Sequence, residues 1–332
     1  MPSNENGVGS NGNAAASRPY PPGIHVPSLT FFDSSTRQEL DSETQTKHIT
    51  FLAKSGIHGI VLAGTNGEAI ALSRKEKVDL TRLAKKVVSE AGRPDLPITV
   101  GTSGISTRDV IDDCVAVKEA GADFALILVP SFFHFAMTKD AICEFYEEIA
   151  DTSPIPVLIY NFPNVTAGLN VDSPMLDRLA KHSNIVGVKL TCGSIAKVTR
   201  VSAAFSPKQF SALAGQSDWL IPALSVGGTG CITGVGNLYP KSCVAVYDLY
   251  MAGKFEEAQK LQYTLGVSEL GFGDGGINGT KWVVSELLGY PEEARHCRRP
   301  YPQFTSKDKQ KWILDQVRTL ESEEARLNKS SA

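Results

Sequence analysis

The amino-acid sequence predicts a TIM (β/α)8 barrel followed by a C-terminal helical extension. From residue 24 onward, short β-rich runs alternate with helical patterns. The runs are mostly continuous apolar segments, which is typical of parallel strands buried on both faces. Eight such runs occur within about 230 residues, the number and length that a closed barrel of this kind requires.

The predicted strands are rich in Val, Ile, Leu and Ala. They are 25–31, 59–64, 97–102, 124–129, 156–161, 185–190, 210–215 and 231–235. An open doubly wound sheet could hold as many strands, but it usually carries a glycine-rich nucleotide loop after its first strand. Residues 32–39 read FDSSTRQE and contain no such loop, which favours the barrel.

The segments between the strands carry helix signals. In 73–92, Ser73 is expected to cap the helix, and Glu76 stands at the capping-box position. Segment 106–121 follows the same pattern, with Ser106 as its cap. Further helices are predicted at 138–151, 173–182, 194–204, 217–226 and 240–252.

Three regions are expected along the chain. Residues 1–21 are polar and rich in Gly, Asn and Ser, which predicts a disordered tail. The barrel is expected to occupy 22–252, and the helical patterns of 253–327 predict a region packed on the barrel or on a neighbouring subunit. Within that region, GFGDGG (271–276) matches a dinucleotide-binding fingerprint, but it follows a helix, so we expect a loop between helices.

The composition argues against several functions. The net charge is −3 and the pI about 6.1, so there is no basic excess for nucleic acid or an anionic membrane. No apolar run approaches the roughly 18–20 residues of a membrane span. The six cysteines form no CxxC pair and the six histidines show no metal-ligand spacing. With an N-terminus that lacks the features of a signal or transit peptide, these counts predict a cytoplasmic protein without a metal site.

The turn after the second strand is a candidate anion site, because active sites of such barrels lie at the C-terminal ends of the strands. It reads GTNGEA, with Gly64, Thr65 and Asn66 in a position to offer backbone N–H groups and polar side chains to a small carboxylate. The alternative is an ordinary Gly-Asn turn. Glu68 is better explained by a salt bridge or a cap than by a catalytic base.

A lysine near the end of the sixth strand is the candidate nucleophile. In IVGVKL, a strand period of two puts Ile185, Gly187 and Lys189 on one face and the bulky valine and leucine residues on the other. If that face is the barrel interior, Gly187 leaves room, and the apolar lumen favours a neutral amine that attacks a carbonyl. The alternative is an edge strand whose lysine points to water.

Tyr160, at the end of the fifth strand, is the candidate proton carrier. A phenol held near the amine can move protons directly or through a hydroxyl such as that of Thr65. The alternative is a core tyrosine whose hydroxyl binds a backbone group.

Five motifs occur in the order found in one enzyme family. They are GTNGEA (64–69), IYNFPNVTAG (159–168), IVGVKL (185–190), LAGQSD (213–218) and GTGCITGVGN (228–237). Together they resemble the class I, pyruvate-dependent aldolases of the dihydrodipicolinate synthase and N-acetylneuraminate lyase type. The likeness spans about residues 22–300.

The resemblance implies a Schiff base between Lys189 and the C2 carbonyl of pyruvate, with no other cofactor. By motif position, Tyr160 matches the catalytic tyrosine, and Thr65 and Asn66 match the pair that holds the pyruvate carboxylate. Ile232 matches the residue whose main chain lies beside bound pyruvate. The family usually forms a homotetramer built as a dimer of dimers.

Departures from the synthase pattern concern the second substrate. The synthases carry an arginine after the tyrosine strand that binds the aldehyde's carboxylate, whereas this chain has Val165. They also have two tyrosines after the fourth strand, where this chain reads PSFFH with Phe132 and Phe133. The resemblance then implies that hydroxyl or amide groups bind the aldehyde half. The candidates are Thr166, Ser131, Asn164 and Ser217.

GTNGE and CRRP (297–300) resemble two branches of the family. One contains 4-hydroxy-2-oxoglutarate aldolases, and the other contains fungal aldolases that cleave 2-keto-3-deoxy sugar acids. The resemblance implies cleavage of L-threo-3-deoxy-hexulosonate to pyruvate and L-glyceraldehyde. The alternatives are a 4-hydroxy-2-oxoglutarate aldolase, a condensing dihydrodipicolinate synthase and a non-catalytic barrel that binds a keto acid.

Overall fold

The computed structural model describes residues 18–330 and shows a closed parallel barrel. Its strands are neighbours in chain order, and the last pairs with the first. They are β1 (Gly23–Pro27), β2 (Gly59–Leu62), β3 (Ile98–Gly101), β4 (Phe124–Leu128), β5 (Val157–Asn161), β6 (Ile185–Leu190), β7 (Ser211–Ala214) and β8 (Gly230–Ile232). The predicted fold class is confirmed.

Helices follow every strand. They are α1 (Ser42–Ala53), α2 (Arg74–Glu90), α3 (Thr107–Glu119), α4 (Lys139–Thr152), α5 (Ser173–Leu179), α6 (Ile195–Ala204), α7 (Leu220–Ser225) and α8 (Pro240–Met251). The C-terminal region adds α9 (Phe255–Leu287), α10 (Lys307–Val317) and α11 (Glu321–Ser330). Among the described helices, none combines the length and apolar character that crossing a membrane requires.

The capping signals act as the sequence predicts. Ser73 accepts a hydrogen bond from the Glu76 backbone N–H at 3.3 Å, and the Glu76 carboxylate accepts from the Ser73 N–H at 2.8 Å. Ser106 caps α3 by accepting the Asp109 backbone N–H at 3.2 Å. The sequence patterns named no helix before β2, but α1 begins there because Asp41 caps it, accepting from two backbone N–H groups.

One register shift changes which residues of β6 face the lumen. Val157 of β5 pairs with Ile185, but the next residue, Leu158, pairs with Gly187. Strand β6 therefore carries one extra residue, Val186. Such a bulge inverts the alternation on one side of it. Val186 therefore packs in the lumen and Ile185 packs against the helices, so the prediction that Ile185 shares the face of Lys189 is wrong.

C-terminal to the bulge, the predicted alternation of faces along β6 is confirmed. Val188 and Leu190 belong to the cluster between barrel and helices, and Lys189 points to the other side. At Gly187 a Cβ atom would lie 2.5 Å from the Ser211 carbonyl oxygen, so this position requires glycine because two strands approach closely.

The N-terminal end of the barrel is closed by Tyr20. Residues 1–17 of the predicted tail lie outside the described residues, but Tyr20 is buried among lumen side chains and packs edge-to-face on Phe124. Its hydroxyl lies 3.2 Å from both Thr99 Oγ1 and His25 Nδ1. The chain therefore joins the barrel before β1 begins.

The GFGDGG segment is helical up to Gly275, so the predicted loop is reduced to a kink at its last residue. Two helical stretches of α9 meet at Gly276, which has φ 61° and ψ −166°. A Cβ at Gly275 or Gly279 would lie 2.8 or 3.1 Å from Ile313 Cδ1 of α10. These glycines therefore serve close packing between two helices.

A buried ion pair joins the barrel to α9. Lys281 Nζ lies 2.7 Å from a Glu68 carboxylate oxygen, and both side chains are fully buried. The other Glu68 oxygen accepts the Arg298 backbone N–H at 2.8 Å, and Lys281 Nζ lies 4.4 Å from the centroid of the Phe32 ring. Burial lowers the pKa of Lys281, and the neighbouring carboxylate opposes that shift. The salt bridge expected for Glu68 is confirmed.

Lys281→Met is expected to lower the free energy of unfolding by about 3–5 kcal/mol, because it leaves the Glu68 charge buried without its cation. Urea denaturation measures this loss. The control is the double variant Glu68→Gln, Lys281→Met, which removes both charges and should recover most of the stability. A single variant as stable as the wild type would show that the pair is unimportant.

Two buried histidines are held neutral. Burial lowers the pKa of His25 to about 3 and that of His48 to about 4. In His48, Nε2 lies 2.9 Å from Asn237 Oδ1 and Nδ1 lies 3.1 Å from the Tyr290 hydroxyl. This is the arrangement of a neutral ring that donates one hydrogen bond and accepts another.

We expect the fold to lose stability as the pH falls below about 6.5, because His25 and His48 then bind protons in the unfolded state but not in the folded state. Each should cost about 2 kcal/mol between pH 7 and pH 5. His48→Gln should reduce the loss by that amount in urea unfolding. His134→Gln, at an exposed position, is the control for the substitution itself. Equal pH profiles for the wild type and His48→Gln would contradict the assignment.

Candidate active site

Lys189 lies at the C-terminal end of the lumen. It is paired in register with Tyr160 on one side and with Leu213 on the other. Its side chain is 4% exposed, and Nζ lies 4.3 Å from the centroid of the Tyr160 ring. Because β6 has a partner on both sides, the alternative of an edge strand with a solvated lysine is wrong.

The Tyr160 hydroxyl has a side-chain partner. It shares a hydrogen bond with Thr65 Oγ1 at 3.1 Å, and the tyrosine is 3% exposed. Its ring also stacks on Phe162 with 5.7 Å between the centroids. An amine, a phenol and an alcohol thus stand side by side, an arrangement that can move a proton between a substrate atom and either hydroxyl.

The turn that follows β2 is held in an unusual backbone conformation. Ala63 and Glu68 adopt left-handed φ angles of 49° and 56°. The Glu68 N–H donates to the Thr65 carbonyl at 3.0 Å, and a Cβ at Gly67 would lie 3.0 Å from the Ala63 nitrogen. Non-glycine residues in this region cost about 1–2 kcal/mol each and are often found at functional sites. The buried partners of Glu68 stabilise this conformation.

Four predicted site residues meet Lys189 around one cavity of about 160 Å³: Thr65, Asn66, Tyr160 and Ile232. The Asn66 amide reaches this cavity beside Gly234, where a Cβ would lie 2.7 Å from Asn66 Nδ2.

A second cavity of about 220 Å³ adjoins the first and shares Thr65 and Tyr160 with it. Its other lining residues include Gly64, Ser103, Leu128, Val165 and Tyr301. The two cavities adjoin at Thr65 and Tyr160, so the space beside Lys189 extends on both sides of the tyrosine.

Two hydroxyl residues predicted to bind the aldehyde half, Thr166 and Ser131, do not line either cavity. Thr166 is 1% exposed, and its hydroxyl donates within the loop to the Phe162 and Leu169 carbonyls at 3.1 and 3.0 Å. Ser131 lines neither cavity, and its carbonyl accepts the His134 N–H at 3.1 Å. These contacts stabilise two loops above the barrel.

The sequence patterns missed several lining residues. Thr191 follows β6, and its buried Oγ1 has no hydrogen-bond partner in the described part of the chain. Glu269 and Gly276 reach the same cavity from α9. The glycine-rich stretch within a helical segment could have indicated that α9 reaches the cavity, since glycine inside a helix usually has a packing or functional reason.

The chain was compared with known proteins. Residues 21–317 match the model of the Dihydrodipicolinate synthetase family. A Coccidioides immitis protein, named as a mitochondrial 4-hydroxy-2-oxoglutarate aldolase, is 39% identical over 310 residues, which cover 91% of this chain and 97% of that protein. The Aspergillus niger protein named L-threo-3-deoxy-hexylosonate aldolase is 36% identical over 295 residues, covering 82% and 88%.

A solved structure agrees with these matches. The crystal structure of a dihydrodipicolinate synthase family protein from Coccidioides immitis superposes with a TM-score of 0.85 at 37% identity, covering 94% of this chain and 99% of that one. The family match and the structural superposition both extend over nearly the whole described chain. The chain therefore belongs to the dihydrodipicolinate synthetase family.

Proposed function

We propose that the protein is a class I aldolase that cleaves a 2-keto-3-deoxy acid into pyruvate and an aldehyde through a Schiff base on Lys189. The observation that carries this proposal is the buried amine beside the hydrogen-bonded Tyr160–Thr65 pair. Among residues 18–330, Lys189 makes no ion pair. An amine in apolar surroundings without a carboxylate partner is suited to attack a carbonyl.

Each step of the reaction assigns a task to a group of the site. The Lys189 amine attacks the C2 ketone, and loss of water from the carbinolamine gives a protonated imine. A base removes the C4 hydroxyl proton while the C3–C4 bond breaks, and its electrons form the enamine as the aldehyde leaves. Protonation at C3 and hydrolysis release pyruvate and free lysine. Tyr160, with Thr65 as its partner, moves these protons.

The substrate carboxylate requires its own site. Thr65 and Asn66 line the cavity that contains Lys189, and their turn is held by the buried Glu68–Lys281 pair. We propose that this turn binds the C1 carboxylate through its polar groups. Ile232 supplies the apolar wall of the same cavity. The reaction proposed here uses no metal or organic cofactor.

The side chains that line the two cavities bear on the choice of aldehyde. No arginine lines either cavity in the described part of the chain, and Val165 occupies the position where the synthase pattern places one. An aldehyde that carries a carboxylate therefore lacks a cationic partner. We propose L-threo-3-deoxy-hexulosonate as substrate and L-glyceraldehyde as second product, in line with the name of the Aspergillus niger relative.

Assembly and location complete the proposal. Phe132, Phe133 and Phe135 are exposed, and their rings pack on one another to form an apolar patch. Such a patch is typical of a subunit interface, which supports the proposed homotetramer. We propose a cytoplasmic location, because the six cysteines are free thiols, as is usual in a reducing compartment. The Coccidioides immitis relative is named as mitochondrial, so cell fractionation of this protein is the direct test.

Borohydride reduction in the presence of pyruvate is expected to leave a stable pyruvyl adduct on the peptide that contains Lys189. Peptide mass mapping measures it. Lys281, which is also buried, is the internal control and should stay unmodified in the same digest. Lys189→Met should abolish the adduct. An unmodified Lys189 peptide in the wild type would refute the Schiff-base mechanism.

A lactate-dehydrogenase-coupled assay is expected to detect pyruvate release from L-threo-3-deoxy-hexulosonate. Because no arginine lines the cavities and Lys189 is consumed in the Schiff base, kcat/KM for 4-hydroxy-2-oxoglutarate should be lower by about tenfold or more. The reverse preference would favour the 4-hydroxy-2-oxoglutarate aldolase. An adduct without turnover of either compound would favour a keto-acid-binding barrel, and activity in a reductase-coupled condensation assay would favour the synthase.

A further inference from the structure

Glu269 of α9 is a buried carboxylate in the wall of the cavity that contains Lys189. The residue is only 6% exposed, and Ile232 and Phe272 line the same cavity. One of its oxygens, Oε2, accepts three hydrogen bonds. The donors are the Ser217 backbone N–H at 2.8 Å, the Ser217 hydroxyl at 2.5 Å and the Thr233 hydroxyl at 3.0 Å.

The other oxygen, Oε1, is available to a ligand. It makes no hydrogen bond with any residue that the structure describes, and no lysine or arginine within 18–330 forms an ion pair with Glu269. Burial raises the pKa of Glu269, and the hydrogen bonds from Ser217 and Thr233 oppose that shift. Oε1 is thus free to accept a hydrogen bond from a donor of the bound molecule, which would stabilise the complex.

We propose that Glu269 determines specificity for the aldehyde half of the substrate. Oε1 accepts a hydrogen bond from a hydroxyl of the sugar-acid chain, and the carboxylate charge disfavours a substrate with a second carboxylate there. The inference rests on the proposed aldolase function, with Lys189 as the point of attachment. It deepens that function, because it identifies a protein group that selects polyhydroxylated aldehydes.

The physical argument has two parts. A hydrogen bond from a hydroxyl to a charged acceptor changes kcat/KM by about tenfold to a hundredfold. A second carboxylate in the same water-poor cavity meets a like charge and no arginine, so it is rejected by the same group. One side chain therefore favours the hydroxylated substrate and disfavours the dicarboxylate.

The three donors also fix the orientation of the side chain. Because all of them point at one atom, an oxygen must occupy that position. In Glu269→Gln the amide oxygen would take it, and the NH2 group would face the cavity. The substitution therefore exchanges an anionic acceptor for a neutral donor at one place, with little change of shape.

The test compares Glu269→Gln with the wild type on L-threo-3-deoxy-hexulosonate and on 4-hydroxy-2-oxoglutarate, together with borohydride trapping of pyruvate. The ratio of kcat/KM for the sugar acid to that for the dicarboxylate should fall by about tenfold or more. Adduct formation on Lys189 should continue. An unchanged ratio with normal adduct formation overturns this inference alone, whereas no adduct in the wild type overturns the aldolase proposal.

Glu324→Gln is the matched control. Glu324 is also buried and accepts hydrogen bonds from the N–H and the hydroxyl of Ser242, both at 2.7 Å. It joins α11 to the start of α8 and lines neither cavity, so its substitution should leave the substrate ratio unchanged. A ratio that falls equally in both variants would indicate general destabilisation and overturn the proposal.

Glu269→Asp keeps the test decisive if the glutamine variant does not fold. The aspartate retains the charge but withdraws it from the cavity by one methylene. The ratio of kcat/KM values should therefore fall below that of the wild type, but by less than expected for Glu269→Gln, which replaces the acceptor with a donor. A ratio equal to that of the wild type would overturn the proposal, because the position of Oε1 would then not matter.

Discussion

The pairing of β8 with β1 is the constraint on which the site depends. Closure leaves every strand with two partners, so a lysine near the end of β6 cannot reach solvent at a sheet edge. It also gathers the C-terminal ends of the strands around one lumen. Lys189 on β6 and Tyr160 on β5 become direct neighbours, and the Thr65 hydroxyl from the β2 turn completes the group.

The C-terminal helix α9 contributes the charges that the barrel strands do not. Lys281 neutralises Glu68 and so supports a turn with two left-handed non-glycine residues. Glu269 adds a carboxylate on the opposite wall, held by Ser217 and Thr233. The apolar strands supply the low-dielectric surroundings, and α9 decides which polar groups a substrate meets there.

Errors in the sequence-based expectations have identifiable physical causes. The faces of Ile185 and Val186 were exchanged because a β-bulge interrupts the period of two, and nothing local in IVGVKL marks it. GFGDGG was expected to be a loop between helices because it follows a helical segment and not a strand. In the structure, Gly275 and Gly279 are required by the close approach of Ile313, a contact from 34 or more residues further along the chain.

Local patterns by themselves determined the barrel class, the order of its strands, the helix caps and the turn, tyrosine and lysine of the site. Apolar runs, capping residues and strand-end positions are properties of short segments, so a single sequence contains them. Only the tertiary structure decided that Glu68 pairs with Lys281 and that Glu269 faces the cavity of Lys189. These contacts join residues far apart in the chain, and their partners are selected by burial and charge after the barrel has closed.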